Sequence, residues 1–347
     1  MKTSSQLINF LKKQYYPSEE IKLLQIAQIA PQSIAKIAWD EWRSLDRLDD
    51  ITWQEHKLLA RMYHRINELD PHYPHLARVS GLLKSEWAKS QVRLKECLSA
   101  IDLLLEHQYP LMLFKGFAWN QNENGIRLSG DLDILVPENH FFDVLELLEK
   151  NHWYSEGKKH WRKKQNVHAI NLVNAKGGNI DIHRRPFHTT PPKSYINGIW
   201  ERSRDGEFMG RYVRYCSEAD YLAILIAHGV VGQQKKHTVS TWPGDIHYFL
   251  SQINNPTISL FRSIIVEIGK PVECHLALSY LKDDLYSESA SGLSEKILPF
   301  DISLITFVRS ILNSPHAFKK GGAIWFFASF IRRILRLKNF IFANKST

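Results

Sequence analysis

Cysteine is scarce in this sequence, with 3 residues in a chain of 347. Cys97, Cys216 and Cys274 lie far apart, and no two of them form a CxxC pair. An odd number of widely spaced cysteines is not the pattern of a disulfide framework, and the 16 histidines contain no HExxH motif. We therefore expect free thiols, no zinc site and a reducing, cytoplasmic environment.

Long apolar runs are missing as well. The closest, at 323–331, is followed directly by Arg332 and Arg333, and it is far shorter than the ~18 residues that a membrane span requires. The N-terminal segment contains neither the apolar core nor the small-residue cleavage site of a signal peptide. The sequence thus predicts a soluble protein with no transmembrane segment and no signal peptide.

Acidic residues are absent after Asp301, and this tail accounts for most of the net charge of +9. Eight basic residues follow that position, namely Arg309, Lys319, Lys320, Arg332, Arg333, Arg336, Lys338 and Lys345. Subtracting these eight charges from +9 leaves about +1 for the first 301 residues. The net charge therefore does not indicate a basic nucleic-acid-binding surface over the whole protein.

The tail at about 323–341 is predicted to form a basic amphipathic helix. Arg332, Arg333 and Arg336 share one arc of its helical wheel. An apolar arc lies opposite and contains Phe327, Phe330, Ile331, Ile334 and Ile341. Such a helix either contacts an anionic membrane or an acidic protein partner, or packs on its own domain with the arginines in water.

Helical periodicity dominates both ends of the chain, and the pattern changes in the middle. Between 111 and 185, short apolar or alternating runs predict strands at 111–114 and 131–136, a helix at 141–150, and a hairpin of 167–173 with 179–183. We expect an α+β protein with three parts: an N-terminal helical region (1–108), a mixed α/β core (109–205) and a C-terminal helical region (206–347) that includes the tail helix.

Three carboxylates lie on the predicted strands. Asp131 and Asp133 lie two residues apart, so their side chains leave the same face of a strand. Asp181 belongs to a neighbouring predicted strand, again between aliphatic residues. Oxygen-only ligands suit Mg²⁺ or Mn²⁺, and three carboxylates on adjacent strands can hold two such ions ~4 Å apart for phosphoryl transfer.

Glycines and basic residues lie next to these carboxylates. Lys115 and Gly116 end the strand before the DxD segment, and Gly130 directly precedes Asp131. A glycine turn lets backbone N–H groups approach phosphate oxygens, and Lys115 and Arg127 can add cationic contacts. The segment thus predicts a phosphate-binding turn beside the carboxylates, although an isolated DxD motif is usually a solvated surface.

Three segments together resemble the uncharacterised nucleotidyltransferase family of the DNA polymerase β-like superfamily. They are 113–116 (LFKG), 127–136 (RLSGDLDILV) and 180–183 (IDIH). In that superfamily a glycine-containing turn precedes a strand bearing DxD or DxE, and a third aspartate comes from a later strand. The similarity extends over about 20–250, through LLARMYH at 58–64, Trp200-Glu-Arg, SEADYL at 217–222, His228 and Asp245.

The resemblance implies a polymerase β-like nucleotidyltransferase core that transfers a nucleoside monophosphate from an NTP to an acceptor and releases pyrophosphate. Asp131 and Asp133 would bind the Mg²⁺ or Mn²⁺ pair that carries the triphosphate. Asp181 would complete the metal site and help activate the acceptor hydroxyl. Lys115, Gly116, Arg127 and Gly130 would lie near the phosphates. The acceptor stays open between a small molecule, a peptide or protein, and RNA.

One position departs from the superfamily pattern, because its usual Gly-Ser turn is Gly116-Phe117 here. The serine contact to phosphate is therefore missing. A catalytically inactive nucleotide-binding or interaction module of the same fold is thus the main alternative to an enzyme. A phosphotransferase that moves a terminal phosphate from the same site is a second enzymatic alternative.

Several other residues allow more than one interpretation. The basic run at 158–164 (KKHWRKK) either guides a polyphosphate or RNA backbone or is a solvated loop. His183 shares a predicted face with Asp181, and it either hydrogen-bonds a carboxylate or only packs. His228 follows the apolar run at 223–227, and it is either a satisfied core histidine or, as the resemblance implies, shares a role with Asp245 near the nucleotide base or acceptor.

Overall fold

The computed structural model describes residues 17–116, 130–155, 167–187, 190–232 and 241–298. Within these ranges the chain forms eleven α-helices and one seven-stranded mixed sheet, which confirms the predicted α+β class. It divides into two compact units, one of residues 59–225 and one of residues 1–58 together with 226–347. The three-part division made from the sequence stays a prediction.

The α-helices of the described ranges have 9 to 31 residues, and the longest is the fourth. The first five are α1 (Glu19–Ile29), α2 (Gln32–Ser44), α3 (Trp53–Leu69), α4 (Leu76–Glu106) and α5 (Phe141–Lys150). The other six are α6 (Lys193–Glu201), α7 (Glu218–Gly232), α8 (Trp242–Leu250), α9 (Asn255–Glu267), α10 (Pro271–Ser279) and α11 (Glu288–Ile297). Among the helices in these described ranges, none is both long and apolar enough to cross a membrane.

The sheet lies entirely in the unit 59–225. Its strands are β1 (Met112–Leu113), β2 (Leu132–Leu135), β3 (Tyr154–Ser155), β4 (Ala169–Val173), β5 (Asn179–His183), β6 (Arg204–Phe208) and β7 (Arg211–Tyr215). Their spatial order is β3-β4-β5-β2-β1-β7-β6. The β2–β5 and β1–β7 pairs are parallel and the other four are antiparallel. The predicted hairpin of 167–173 with 179–183 is confirmed as β4–β5.

One face of the sheet packs in an apolar core and the other carries the acidic side chains, because side chains alternate along each strand. We call these the apolar face and the polar face. Leu132 and Ile134 of β2 and Ile180 and Ile182 of β5 belong to one buried core. That core is completed by residues spaced three or four apart on α4 and α5, namely Leu94, Cys97, Ile101, Leu104, Val144, Leu145 and Leu148. The intervening residues of β2 and β5 are therefore left for the opposite face.

The β6–β7 hairpin is an element that the sequence analysis did not predict. It extends the sheet through residues 204–215, so β6 spans the predicted boundary at 205/206. Its turn consists of Met209 (φ 52°) and Gly210 (φ 78°), the left-handed pair that suits a two-residue hairpin. The alternation of RYVRY at 211–215, with Val213 and Tyr215 buried, was the available signal.

The second unit is helical in its described residues. Trp39 and Trp42 of α2 are fully buried and stack with their ring centroids 5.5 Å apart. Tyr280 donates its hydroxyl to the buried Gln25 Oε1 over 2.6 Å, which joins α1 to the segment after α10. The tail segment 323–341 lies outside the described residues, so its amphipathic helix stays a prediction.

A buried ion pair connects two segments that the sequence analysis had singled out at 200–202 and 217–222. Arg202 donates from Nε and Nη2 to the two carboxylate oxygens of Asp220, over 2.9 and 2.8 Å. Asp220 is fully buried and lies three residues after Ser217, whose hydroxyl donates to it and accepts from its backbone N–H. Ser217 therefore caps the start of α7 and also hydrogen-bonds the Asp220 carboxylate.

We predict that Arg202→Met lowers the free energy of unfolding by about 3 kcal/mol, because it leaves the Asp220 carboxylate buried without its cation. Arg204→Met is the matched control, since Arg204 and Glu218 are exposed and 3.7 Å apart. That variant should change stability by less than about 0.5 kcal/mol. Urea unfolding followed by circular dichroism measures both, and equal losses would contradict the structural role given to Arg202.

Candidate active site

Parallel pairing of β2 with β5 brings together two of the three predicted carboxylates. Asp133 and Asp181 are direct register partners, so both side chains leave the polar face of the sheet. Asp133 is 5% exposed, whereas the Asp181 side chain is 26% exposed. One carboxylate is therefore nearly enclosed by protein, and the other opens toward solvent.

Lys115 reaches the enclosed carboxylate from the end of β1. Its Nζ lies 2.6 Å from Asp133 Oδ1, and only 16% of the Lys115 side chain is exposed. Gly116 follows in a left-handed conformation (φ 56°), which a residue with a Cβ adopts at a cost in strain. The predicted Lys-Gly turn is thus a real turn, and its lysine contacts the DxD segment directly.

A ring nitrogen of His183 lies against the same oxygen of Asp133. His183, the last residue of β5, lies with Nε2 2.9 Å from Asp133 Oδ1 and 3.8 Å from Asp181 Oδ2. Burial opposes ionisation of Asp133, but the charge of Lys115 and the hydrogen bond from His183 outweigh it. They hold the pKa of Asp133 well below its ordinary value of 3.8. Asp133 is thus an ionised, buried carboxylate.

The more exposed carboxylate is oriented by a neighbouring strand. Asn171 of β4 is the register partner of Asp181, and its Nδ2 donates to Asp181 Oδ1 over 2.9 Å. The same amide also donates to Asn179 Oδ1. Asn171 is therefore a site residue that the sequence analysis missed. The available signal was its position opposite Asp181 in the predicted hairpin.

Cys97 supports β5 from the apolar side of the sheet. Its Sγ lies 3.2 Å from the carbonyl oxygen of Asn179. Burial raises the pKa of the Cys97 thiol to about 11, so the sulfur stays protonated at neutral pH. All three cysteines are free and buried, as their scarcity and spacing predicted.

The donor atoms of this site match the span of one divalent cation. Asp133, Asp181 and His183 each offer one ligand atom, and these atoms lie within 4.8 Å of one another. Ligands of a six-coordinate ion at ~2.1 Å lie ~3–4 Å apart, so small side-chain adjustments would close the set. Asp133 and Asp181 supply the carboxylate oxygens that Mg²⁺ or Mn²⁺ prefers, so this pair fits a bound divalent metal.

Other predicted site residues lie near this group or outside the described chain. Asp131 directly precedes β2 and is half-buried, but in the described residues it is not a member of the metal-binding group. Gly130 has room for a Cβ, whose nearest neighbour would be Arg93 Nη1 at 3.8 Å, so space does not require a glycine there. Arg127 and the basic run at 158–164 lie outside the described residues.

His228 and Asp245 lie in the other compact unit. His228 is in the second half of α7 and is half-buried, and Asp245 is in the first turn of α8. Their shared role near a nucleotide base or acceptor stays a prediction.

The sequence matches the family model described as "Uncharacterised nucleotidyltransferase" over residues 45–282. This match covers more than half of the chain and includes every strand of the sheet. The chain belongs to this family. This assignment is consistent with the mixed sheet, the flanking helices and the acidic group on β2 and β5. No curated protein matches the sequence.

The matched range covers more than the acidic strands. The family match begins in the N-terminal helical part and ends after α10, so it includes both the acidic strands and the Arg202–Asp220 pair. The family's helical C-terminal segments thus contribute a buried ion pair to the unit that contains the site.

We predict that Lys115→Met destabilises the protein at pH 7 by about 3 kcal/mol, since it leaves the Asp133 carboxylate buried without its cation. In the wild type, the low pKa of Asp133 favours the folded state above pH ~4, and this contribution is lost as the pH falls further. In the variant, burial raises the pKa of Asp133, so protonation recovers stability at low pH. The difference between the two proteins should therefore shrink from pH 7 to about pH 3.5.

Urea unfolding at both pH values measures this difference. Lys150→Met is the control, because Lys150 and Glu146 form an exposed pair on α5 and its loss should cost less than about 0.5 kcal/mol at either pH. An effect of Lys115→Met that is the same at both pH values would contradict the proposed charge balance.

Proposed function

We propose that the protein is a metal-dependent nucleotidyltransferase that transfers a nucleoside monophosphate from an NTP to an acceptor hydroxyl or phosphate group and releases pyrophosphate. The observation that carries this proposal is the register pairing of Asp133 with Asp181 on parallel strands, beside the lysine of a glycine turn. Membership of a nucleotidyltransferase family supports the same reaction class.

The three aspartates have different surroundings and so different proposed roles. Asp133 and Asp181 would hold the catalytic Mg²⁺ or Mn²⁺, and Asp131 would join them for the ion that carries the triphosphate. Such ions stabilise negative charge on the phosphoryl group and favour ionisation of the acceptor. Asp181 is the more exposed of the paired carboxylates, so it is suited to accept the proton of an incoming hydroxyl.

The proposed nucleotide contacts are Lys115, Gly116, Arg127 and Gly130. The left-handed backbone at Gly116 is a conformation in which neighbouring peptide N–H groups can converge on a phosphate oxygen. A bound triphosphate would compete with Asp133 for the Lys115 ammonium group, because both are anions within its reach. ATP is the first nucleotide to test, and the acceptor class stays open between a small molecule, a peptide or protein, and RNA.

The second candidate is a catalytically inactive nucleotide-binding or interaction module of the same fold. Two observations favour it. Lys115 already neutralises Asp133 within the protein, and Phe117 occupies the position of the superfamily's serine. A phosphotransferase acting from the same site is distinguished from a nucleotidyltransferase by the mass that it adds to its product.

We further propose a cytoplasmic location, supported by the three free, buried cysteines. Contact with a membrane surface or an acidic protein through residues 323–341 is a separate proposal, which depends on the charge pattern of the tail.

We predict that Asp133→Asn and Asp181→Asn each reduce nucleotidyl transfer at least about a hundredfold, because each removes an anionic metal ligand. Asp205→Asn is the matched control, since Asp205 belongs to the same sheet with its side chain 81% exposed. Transfer is measured from α-labelled ATP, with folding checked by circular dichroism. Transfer that survives both site substitutions would reject Asp133 and Asp181 as the catalytic residues, whereas no transfer by the folded wild type would favour the inactive module.

The acceptor can be sought with each α-labelled NTP, Mg²⁺ or Mn²⁺, and cell extract separated into RNA, protein and metabolite fractions. We expect label in one fraction, with its loss on chelation by EDTA and its return on adding Mg²⁺ or Mn²⁺. Mass spectrometry of that fraction should show an added nucleoside monophosphate. An added phosphate alone would instead identify a phosphotransferase.

A further inference from the structure

The imidazole of His183 is held tightly beside the acidic group. It is 1% exposed, and the Phe114 ring packs edge-on against it with the centroids 4.8 Å apart. The His168 ring lies 5.6 Å away in a similar edge-on arrangement. These neighbours fix the plane of the ring, so its two nitrogens have distinct and lasting surroundings.

The two nitrogens of His183 differ in their contacts. Nε2 lies 2.9 Å from Asp133 Oδ1, whereas Nδ1 is buried and has no hydrogen-bond partner in the described part of the chain. A neutral ring with its hydrogen on Nδ1 would bury an unpaired donor. It would also direct the Nε2 lone pair at a carboxylate oxygen. The tautomer with hydrogen on Nε2 donates to that carboxylate oxygen and leaves only an acceptor, Nδ1, without a partner in the described residues.

Metal ligation by His183 would require the unfavourable arrangement. A histidine that binds a metal through Nε2 carries its hydrogen on Nδ1, and that N–H is almost always donated to an acceptor. Nδ1 of His183 has no such acceptor among the described residues. The closeness of Nε2 to both carboxylates is therefore better explained by a hydrogen bond than by a ligand role.

We propose that His183 is a positioning residue that donates its Nε2–H to Asp133 Oδ1 and does not bind the metal. Together with Lys115 it fixes one oxygen of Asp133, so that the carboxylate keeps a single rotamer for the cation. The metal ligands are then oxygens only, which favours Mg²⁺ or Mn²⁺ over Zn²⁺. The hydrogen bond that orients Asp133 does not depend on the proposed function. The use of that orientation in metal binding does rest on the proposed function.

The test uses the full-length protein and two substitutions that differ in where they put an amide N–H. Gln at position 183 can offer an N–H near the place of Nε2, whereas Asn offers one near the place of Nδ1. His72→Gln is a control at an exposed histidine. The tautomer is read by NMR of protein with ¹⁵N-labelled histidine, with the His183 signals assigned by their loss in His183→Gln.

Three measurements decide the inference. NMR should show the hydrogen on Nε2 without any added metal or nucleotide. Mn²⁺ titration should give affinities within about threefold of the wild type for His183→Gln and about tenfold weaker for His183→Asn. Pulsed EPR of the Mn²⁺-loaded wild type should show no nitrogen coupling from His183.

Hydrogen on Nδ1, a His183 nitrogen coupling to Mn²⁺, or equal loss of affinity in the Gln and Asn variants would each overturn the positioning role. Failure of the proposed function gives a different result. If the wild-type protein bound no Mn²⁺ and transferred no nucleotide, the function would be rejected, while the NMR measurement would still decide the tautomer of His183.

Discussion

The buried negative charge of Asp133 is the constraint on which the rest of the site depends. A carboxylate at 5% exposure is costly unless donors surround it. Lys115 from β1 and His183 from β5 both contact its Oδ1, so three strands must keep their register to satisfy one side chain. The contacts of Asp133 therefore help to specify the order of the central strands.

The protein compensates the charges of Asp133 and Asp181 in different ways. Lys115 and His183 supply the positive charge and donor that an isolated pair of carboxylates would lack. Asp181 keeps an exposed side chain and an orienting amide from Asn171. A cation or a phosphate entering this group would redistribute contacts that are already present, so little rearrangement of the backbone is needed.

The apolar face of the sheet gives the polar face its rigidity. Ile180 and Ile182 pack in the core with α4 and α5, and the residues between and after them are Asp181 and His183. Because strand side chains alternate, a register shift of one residue would bury the acidic side chains in the core and expose the isoleucines. Packing on the apolar face therefore stabilises the arrangement of the acidic residues on the polar face.

Several features could be predicted from the sequence because they depend on local pattern. Alternation predicted β2 and the β4–β5 hairpin, and glycine chemistry predicted the turn at Gly116, whose φ is 56°. The β6–β7 hairpin was missed, since its exposed residues are mostly charged and few of its residues are buried. The pairing of Arg202 with Asp220 was not predicted either, because 18 residues separate them in the chain.

The sequence by itself determined the residue types of the site, the two-residue spacing of Asp131 and Asp133, and the family to which the chain belongs. Only the tertiary structure decided which of these side chains meet. It paired Asp133 with Asp181, gave Lys115 and His183 to the same oxygen, and left Asp131 outside the closest group. The physical reason is that periodicity fixes the face of a strand, whereas strand order and register depend on packing between residues distant in the chain.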